Sequence, residues 1–357
     1  MSRFFSTKYK DLEAYVPGEQ PRDRKYIKLN TNESPYPPAP LVSQRVEEES
    51  HLLHLYSDPE CRTLTEAVAA RYGLEYENIL MTNGSDEVLN FAFMAFCDAS
   101  HPAAFPDITY GFYPVFARLN SVPFREIPLK EDWSVDLEAF RPEETVFLAN
   151  PNAPTGRYLP PEQIEALLAS HRDRVVVVDE AYIDFGGESC LGLLAEYDNL
   201  LITRTFSKSR SLAGARLGFC MGNRALIRDL NTIKYSTNPY NVNRMTMAAG
   251  LAALEEDSYY MENCCRIVRT REKTATRLKE LGFCLTESQT NFLFASFPGL
   301  RGEEYYGKLR KRGVLVRHFG LPRIREFVRV TVGTPEQMER FLSATEEILR
   351  ETKGTLL

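Results

Sequence analysis

Between about residues 60 and 255, apolar positions alternate between helical spacing and short runs rich in β-branched residues. Residues 144–149 read as one strand. Residues 160–170 have helical periodicity, and 174–178 follow with an unbroken run of valines that fits a strand buried on both faces. Residues 200–203 and 217–221 supply two more strands. Strands interleaved with helices in this way predict βα units: an α/β unit of three layers built on a mostly parallel sheet, whose sites gather at strand C-terminal ends.

After Asn243 the pattern becomes one long amphipathic helix reaching about Leu281 and stopped by Gly282. Strands over 291–297, 314–317 and 327–332, interleaved with helices over 302–312 and 335–350, predict a smaller α+β unit. The first 40 residues, with Tyr36-Pro37-Pro38 and little periodicity, read as an arm. The expected division is an arm over 1–40, a large domain over 41–255 and a small domain over 256–357. No repeat or low-complexity tract interrupts it.

A chain of 357 residues with 43% apolar content can bury a substantial core. The net charge of −6 and the scatter of its basic residues argue against a nucleic-acid or membrane-surface partner. No segment approaches the roughly 20 apolar residues of a membrane span, and residues 1–15 lack the apolar core of a leader, so a cytoplasmic protein is expected. Seven cysteines, an odd number without metal-type spacing, read as reduced core thiols. His51 and His54 lie three apart with no convincing third ligand and read as ordinary helix residues, so no metal is expected.

The chemistry begins at Lys208, set among small hydroxyl and glycine residues in Thr205-Phe206-Ser207-Lys208-Ser209-Arg210-Ser211 after an apolar run. Its amine can form a Schiff base, and the hydroxyls of Thr205 and Ser207 with the guanidinium of Arg216 suit a dianionic phosphate. Asp179 ends the valine strand, where a buried carboxylate needs a partner; capping of the next turn would satisfy it equally. Gly84, Ser85 and Asp86 open an apolar-periodic helix whose free N–H groups suit a phosphate, although plain N-capping accounts for Ser85 and Asp86 as well. Tyr110, taken alone, reads as a core aromatic. Arg329, alternating with valines, faces either solvent or an anion.

Taken in order along the chain, these segments resemble the cofactor-binding motifs of the fold-type I (class II) pyridoxal-phosphate-dependent aminotransferases, in the histidinol-phosphate aminotransferase branch. The resemblance spans about residues 26–334 and implies the fold-type I architecture with pyridoxal 5'-phosphate as cofactor. Lys208 would hold that cofactor covalently and move the substrate proton, Asp179 would bind the ring nitrogen, and Tyr182 would reach the ring oxygen. Tyr110 would stack on the ring, while Gly84, Ser85, Asp86, Thr205, Ser207 and Arg216 would hold the phosphate. Tyr56 would reach the phosphate of a neighbouring subunit, which implies a homodimer with shared sites. The family's ring-contacting asparagine corresponds here to Ala153, leaving Asn152, or Asn150, to supply the amide. Arg329 and Arg317 would receive the substrate anion, with Tyr15, Asn32 and Asn291 beside it. The implied reaction is transamination between histidinol phosphate and 2-oxoglutarate. An aromatic amino-acid aminotransferase, a threonine-phosphate decarboxylase and a non-catalytic cofactor-binding regulator are the rivals.

Overall fold

The computed structural model describes residues 2–10 and 12–354. Its centre is a seven-stranded sheet ordered Ile79–Thr82, Gly218–Gly222, Leu200–Thr205, Val176–Asp179, Thr145–Ala149, Ala103–Pro106 and Phe124–Ile127. All neighbours run parallel except Gly218–Gly222, which is antiparallel to both strands beside it. Residues 206–217 return the chain directly without a crossover helix, and a parallel partner would need one. The α/β sheet is therefore mostly parallel, with one reversed strand beside the lysine loop.

The valine run packs on both faces. Val176 and Val178 join one core with Leu200 and Ile202, whereas Val177 points into the other with Phe147 and Leu201. Period-two alternation between two apolar layers leaves no polar position, so the strand reads as continuous hydrophobe. Rings from helix and sheet close the second layer: Phe93, in the helix Ser85–Phe96, stacks on Phe147 at 4.0 Å.

A second, four-stranded antiparallel sheet is ordered Arg317–His318, Phe327–Thr331, Phe292–Ser296 and Cys284–Leu285, and packs with the helices Gly302–Lys311 and Pro335–Gly354. Four expectations change here. The strand expected over 314–317 is two strands, because Val314–Leu315 turns away to pair in parallel with Ile27–Lys28 of the expected arm. The long helix after Asn243 is two helices, Arg244–Glu255 and Asp257–Glu280. At the break Asp257 pairs with buried Arg210 at 2.5 Å and with Arg71 at 3.3 Å, contacts that no glycine or proline announces. Two cysteines, Cys265 and Cys284, are exposed, while the other five are buried thiols. His51 caps the end of the helix Pro40–Ser50 and His54 lies in the turn beyond, outside any helix. No helix among the described residues is long and apolar enough to cross a membrane.

Candidate active site

Two strand ends meet at the centre. Asp179 is the last residue of Val176–Asp179, and Lys208 lies three residues beyond the neighbouring strand Leu200–Thr205. The Asp179 side chain is buried and accepts one weak backbone bond, from Ala181 N–H at 3.2 Å. Burial, reinforced by the charge of Asp86, pushes its pKa up to about 7, the state of a carboxyl group waiting for a cation. Lys208 Nζ lies 5.8 Å from the centre of the Tyr182 ring and 3.5 Å from the Thr31 carbonyl oxygen. Tyr182 is fixed in turn, its Oη accepting from Asn32 Nδ2 at 2.8 Å.

A turn beside this pair offers an anion site. Gly84 (φ 78°) precedes the 12-residue helix Ser85–Phe96, which starts without a side-chain cap and so leaves N–H groups open. A Cβ at Gly84 would sit 2.5 Å from Arg216 Nη2, and one at Gly218 would sit 2.4 Å from Ser85 N. Both glycines are thus required for the turn, the reversed strand and the guanidinium to stack this closely. Asp86 ties the group together: Tyr110 Oη donates to it at 2.6 Å and Arg216 Nη2 pairs with it at 2.8 Å. Desolvation and that carboxylate push the Tyr110 phenol well above its ordinary pKa. Thr205 pairs with Gly218 across the sheet, and its Oγ1 accepts from Ser207 N–H at 3.0 Å. The Ser207 hydroxyl is buried without a partner. An orphan hydroxyl, a helix N-terminus and a guanidinium form a set that a phosphate would complete.

The opposite wall comes from the four-stranded sheet. Arg317 and Arg329 are directly paired across two antiparallel strands, an arrangement in which like charges repel unless an anion joins them. Arg329 Nη2 donates to the Asn30 carbonyl at 3.1 Å, its Nε is buried without a partner, and its guanidinium lies over Phe292 and Phe319. Arg317 donates to the carbonyls of Pro17 and Val16 at 3.1 and 3.0 Å. These bonds draw residues 15–19 across the opening, where Tyr15 stacks on Phe112 at 4.2 Å. Buried Asn291 donates to the Asn32 carbonyl at 3.0 Å, leaving its own oxygen without a partner. The two walls enclose a cavity of about 350 Å³ whose lining includes Tyr15, Thr31, Tyr110, Tyr182, Lys208 and Arg329.

Asn152 is not brought into this lining; Ala153 and Pro154 are. The Asn152 amide donates to the Ile108 carbonyl at 3.0 Å and to Thr155 Oγ1 at 2.8 Å, and accepts from Thr109 Oγ1 at 2.8 Å, bonds that brace the turn. Asn150 is likewise spent on both backbone groups of Leu159. Tyr56 lies elsewhere on the surface, 81% exposed and stacked on Tyr240. Sequence reasoning missed Thr31 as the nearest partner of Lys208 and missed the polar network behind the lysine loop. In that network Ser209 Oγ donates to Asp184 at 2.5 Å, and Arg204 pairs with Asp184 and with buried Glu180. Only the acidic composition of 179–184 signals it in the sequence.

The fold is that of a transaminase-type scaffold, and the chain belongs to the aminotransferase class I and II family, whose model matches residues 24–344. Within it, the chain is similar to the histidinol-phosphate aminotransferase of Brachyspira hyodysenteriae, 45% identical over 98% of this chain and 100% of that protein. It is 46% identical to the histidinol-phosphate aminotransferase of Clostridium acetobutylicum, over 98% of this chain and 100% of that one. A solved structure, histidinol-phosphate aminotransferase from Sinorhizobium meliloti in complex with pyridoxal-5'-phosphate, shares the fold with a TM-score of 0.87 at 23% identity, covering 98% of this chain and 99% of that chain.

Proposed function

We propose that the protein is a pyridoxal-phosphate-dependent aminotransferase that takes the amino group of histidinol phosphate and delivers it to 2-oxoglutarate, acting as a cytoplasmic homodimer. The observation that carries this reading is the facing of two walls: Lys208 beside a buried, cation-seeking Asp179 on one, and the paired guanidiniums of Arg317 and Arg329 on the other. Full-length similarity to histidinol-phosphate aminotransferases supports the choice of donor.

The residues fit the cofactor. The orphan Ser207 hydroxyl, Thr205, Arg216 and the Gly84-Ser85-Asp86 turn would take its phosphate, Asp179 its ring nitrogen, Tyr182 its ring oxygen, and Tyr110 the face of its ring. When bound, pyridoxal phosphate supplies an electron sink for negative charge at the substrate Cα. With the ring nitrogen as its cationic partner, Asp179 would be able to ionise without an unpaired buried charge. The Lys208 amine would hold the cofactor and would carry the proton at the substrate Cα. Arg329 presents a fork of donors to the substrate anion, Arg317 adds a second, and Asn32 and Asn291 set the floor between the walls. Tyr15 closes the opening over the donor.

The homodimer reading rests on residues 52–56. Leu53, Leu55 and Tyr56 are 57%, 52% and 81% exposed, an apolar run suited to burial against a second copy, whose cofactor phosphate Tyr56 would reach. Five buried free thiols fit a reducing compartment such as the cytoplasm.

The test is a donor panel with 2-oxoglutarate as acceptor: histidinol phosphate, phenylalanine and threonine phosphate, each read for glutamate and for carbon dioxide. Highest kcat/KM with histidinol phosphate is expected. Preference for phenylalanine, carbon dioxide release from threonine phosphate, or cofactor binding without turnover of any donor would each overturn the assignment, in favour of an aromatic aminotransferase, a decarboxylase or a non-catalytic regulator respectively.

A further inference from the structure

Lys234 lies on the helix Arg224–Thr237 at a core-facing position, in register with buried Ile227 and Leu230 at helical spacing. The side chain is 2% exposed, and among the described residues no carboxylate forms an ion pair with it. Burial pushes its pKa down. A charged amine is expensive to keep in such a place unless something takes its donors. Its hydrogen bond runs across to the loop before the helix Arg62–Tyr72: Nζ donates to the Pro59 carbonyl at 2.5 Å.

That loop is the one that carries Tyr56. Its other end is held by Arg244, which donates to the Tyr56 carbonyl at 3.2 Å while paired with Glu49 at 2.9 Å, and the Tyr56 ring is set against Tyr240 at 4.7 Å. Between the two, Asp58 accepts from the N–H groups of Glu60 and Arg62 at 3.0 and 2.8 Å. Cys61, at φ 48°, then takes a left-handed conformation that costs a non-glycine residue energy and needs surrounding contacts to hold it. An aromatic side chain 81% exposed in one chain is therefore mounted on a segment fixed from beneath by two cations.

We propose that Lys234 is a positioning residue whose buried ammonium clamps the Pro59 carbonyl and so holds the Tyr56 loop in the shape that enters the neighbouring subunit's cofactor site. This rests on the reading above that Tyr56 is lent to a second copy. Arg244 governs the start of the loop and Lys234 its end, so loss of either frees the tyrosine by a different route.

The test compares K234M, Y56F and the double variant as purified holoenzyme dimers, following cofactor loss on dilution by absorbance and amide hydrogen exchange over residues 52–61. A hydrogen bond from a charged donor is worth enough that K234M should speed cofactor loss about tenfold, raise exchange in that segment and leave the dimer mass unchanged. Y56F should speed loss at least as much without raising exchange, and the double variant should lose cofactor no faster than Y56F, because Lys234 acts through Tyr56. Wild-type loss in K234M beside faster loss in Y56F overturns the clamp and leaves the Tyr56 reading standing. Wild-type loss in Y56F overturns that reading and the clamp with it, and full additivity in the double variant shows that Lys234 acts by another path. K234Q, which keeps a neutral donor, repeats the comparison if methionine lowers the yield of folded dimer, and its loss rate should fall between wild type and Y56F.

Discussion

The two walls of the cavity are built on opposite principles. The wall from the seven-stranded sheet places its groups just past strand C-terminal ends, where backbone geometry fixes them, and its charged members largely satisfy one another: Asp86 takes both Tyr110 and Arg216. The wall from the four-stranded sheet places Arg317 and Arg329 within or at the edge of antiparallel strands, in direct register, with no carboxylate paired to either among the described residues. Apart from Lys208 and Asp179, the charged groups of one wall are paired; on the other, neither Arg317 nor Arg329 is paired with a carboxylate among the described residues. On the function proposed above, the contrast separates the groups that would do chemistry from those that would choose what enters.

The sharpest way to break the comparison is to remove its reactive member. K208A should lower turnover by at least about 10³-fold, the scale of losing a positioned proton carrier together with the cofactor's covalent anchor. Borohydride treatment of the wild-type holoenzyme followed by peptide mass analysis should find a pyridoxyl group on Lys208, and wild-type turnover in K208A would end the assignment.

D179N should cost about 10²-fold in kcat, with KM little changed. The same variant probes the buried carboxyl of this wall through pH. The carboxyl's pKa in the folded chain is raised to about 7 from an ordinary carboxylate value, so between about pH 4 and 7 the folded state holds a proton that the unfolded state has lost. Stability of the cofactor-free protein therefore falls as pH rises through that window, by up to about 4 kcal/mol from this group. Urea unfolding at pH 5 and pH 8 should show the fall in the cofactor-free wild type and a flatter profile in D179N. Equal slopes in the two proteins would remove Asp179 from the account.

On the second wall, R329K should raise KM for histidinol phosphate about 10- to 100-fold with a smaller change in kcat, since lysine cannot reproduce the planar fork. R317K should raise it less, because two of the Arg317 donors are already spent on the carbonyls of Val16 and Pro17. A larger effect at Arg317 than at Arg329 would reverse their ranking. The smallest functional effect belongs to N152A. It should lower stability by about 2 kcal/mol through lost buried hydrogen bonds while leaving both KM values unchanged. A rise in cofactor loss in that variant would mean that the amide reaches the ring after all.

The same contrast governs what could be read in advance. The βα rhythm, the valine strand and the lysine loop were legible because each is written in consecutive residues: periodicity, a Gly-rich turn, a polar residue at a strand end. The antiparallel setting of Gly218–Gly222 was not, since a strand's apolar content says nothing about its partner's direction. Nor was the break at Glu256, which depends on ion pairs from Asp257 to Arg71 and Arg210, residues distant in the chain. The bonds of Asn152 within the turn were equally hidden, because nothing local shows that Thr109 and the Ile108 carbonyl come to meet it.

By itself the sequence determined the alternation of elements, the apolar faces that bury them, and the chemical types at each loop, because these are properties of neighbours along the chain. Tertiary structure alone decided which of those groups face one another: that Arg317 and Arg329 stand in register, that Arg216 folds over Gly84, that Asp179 is sealed from water, and that Lys234 reaches Pro59. Distances between residues far apart in the chain are set by packing and closure of the whole fold, and neither periodicity nor composition encodes them.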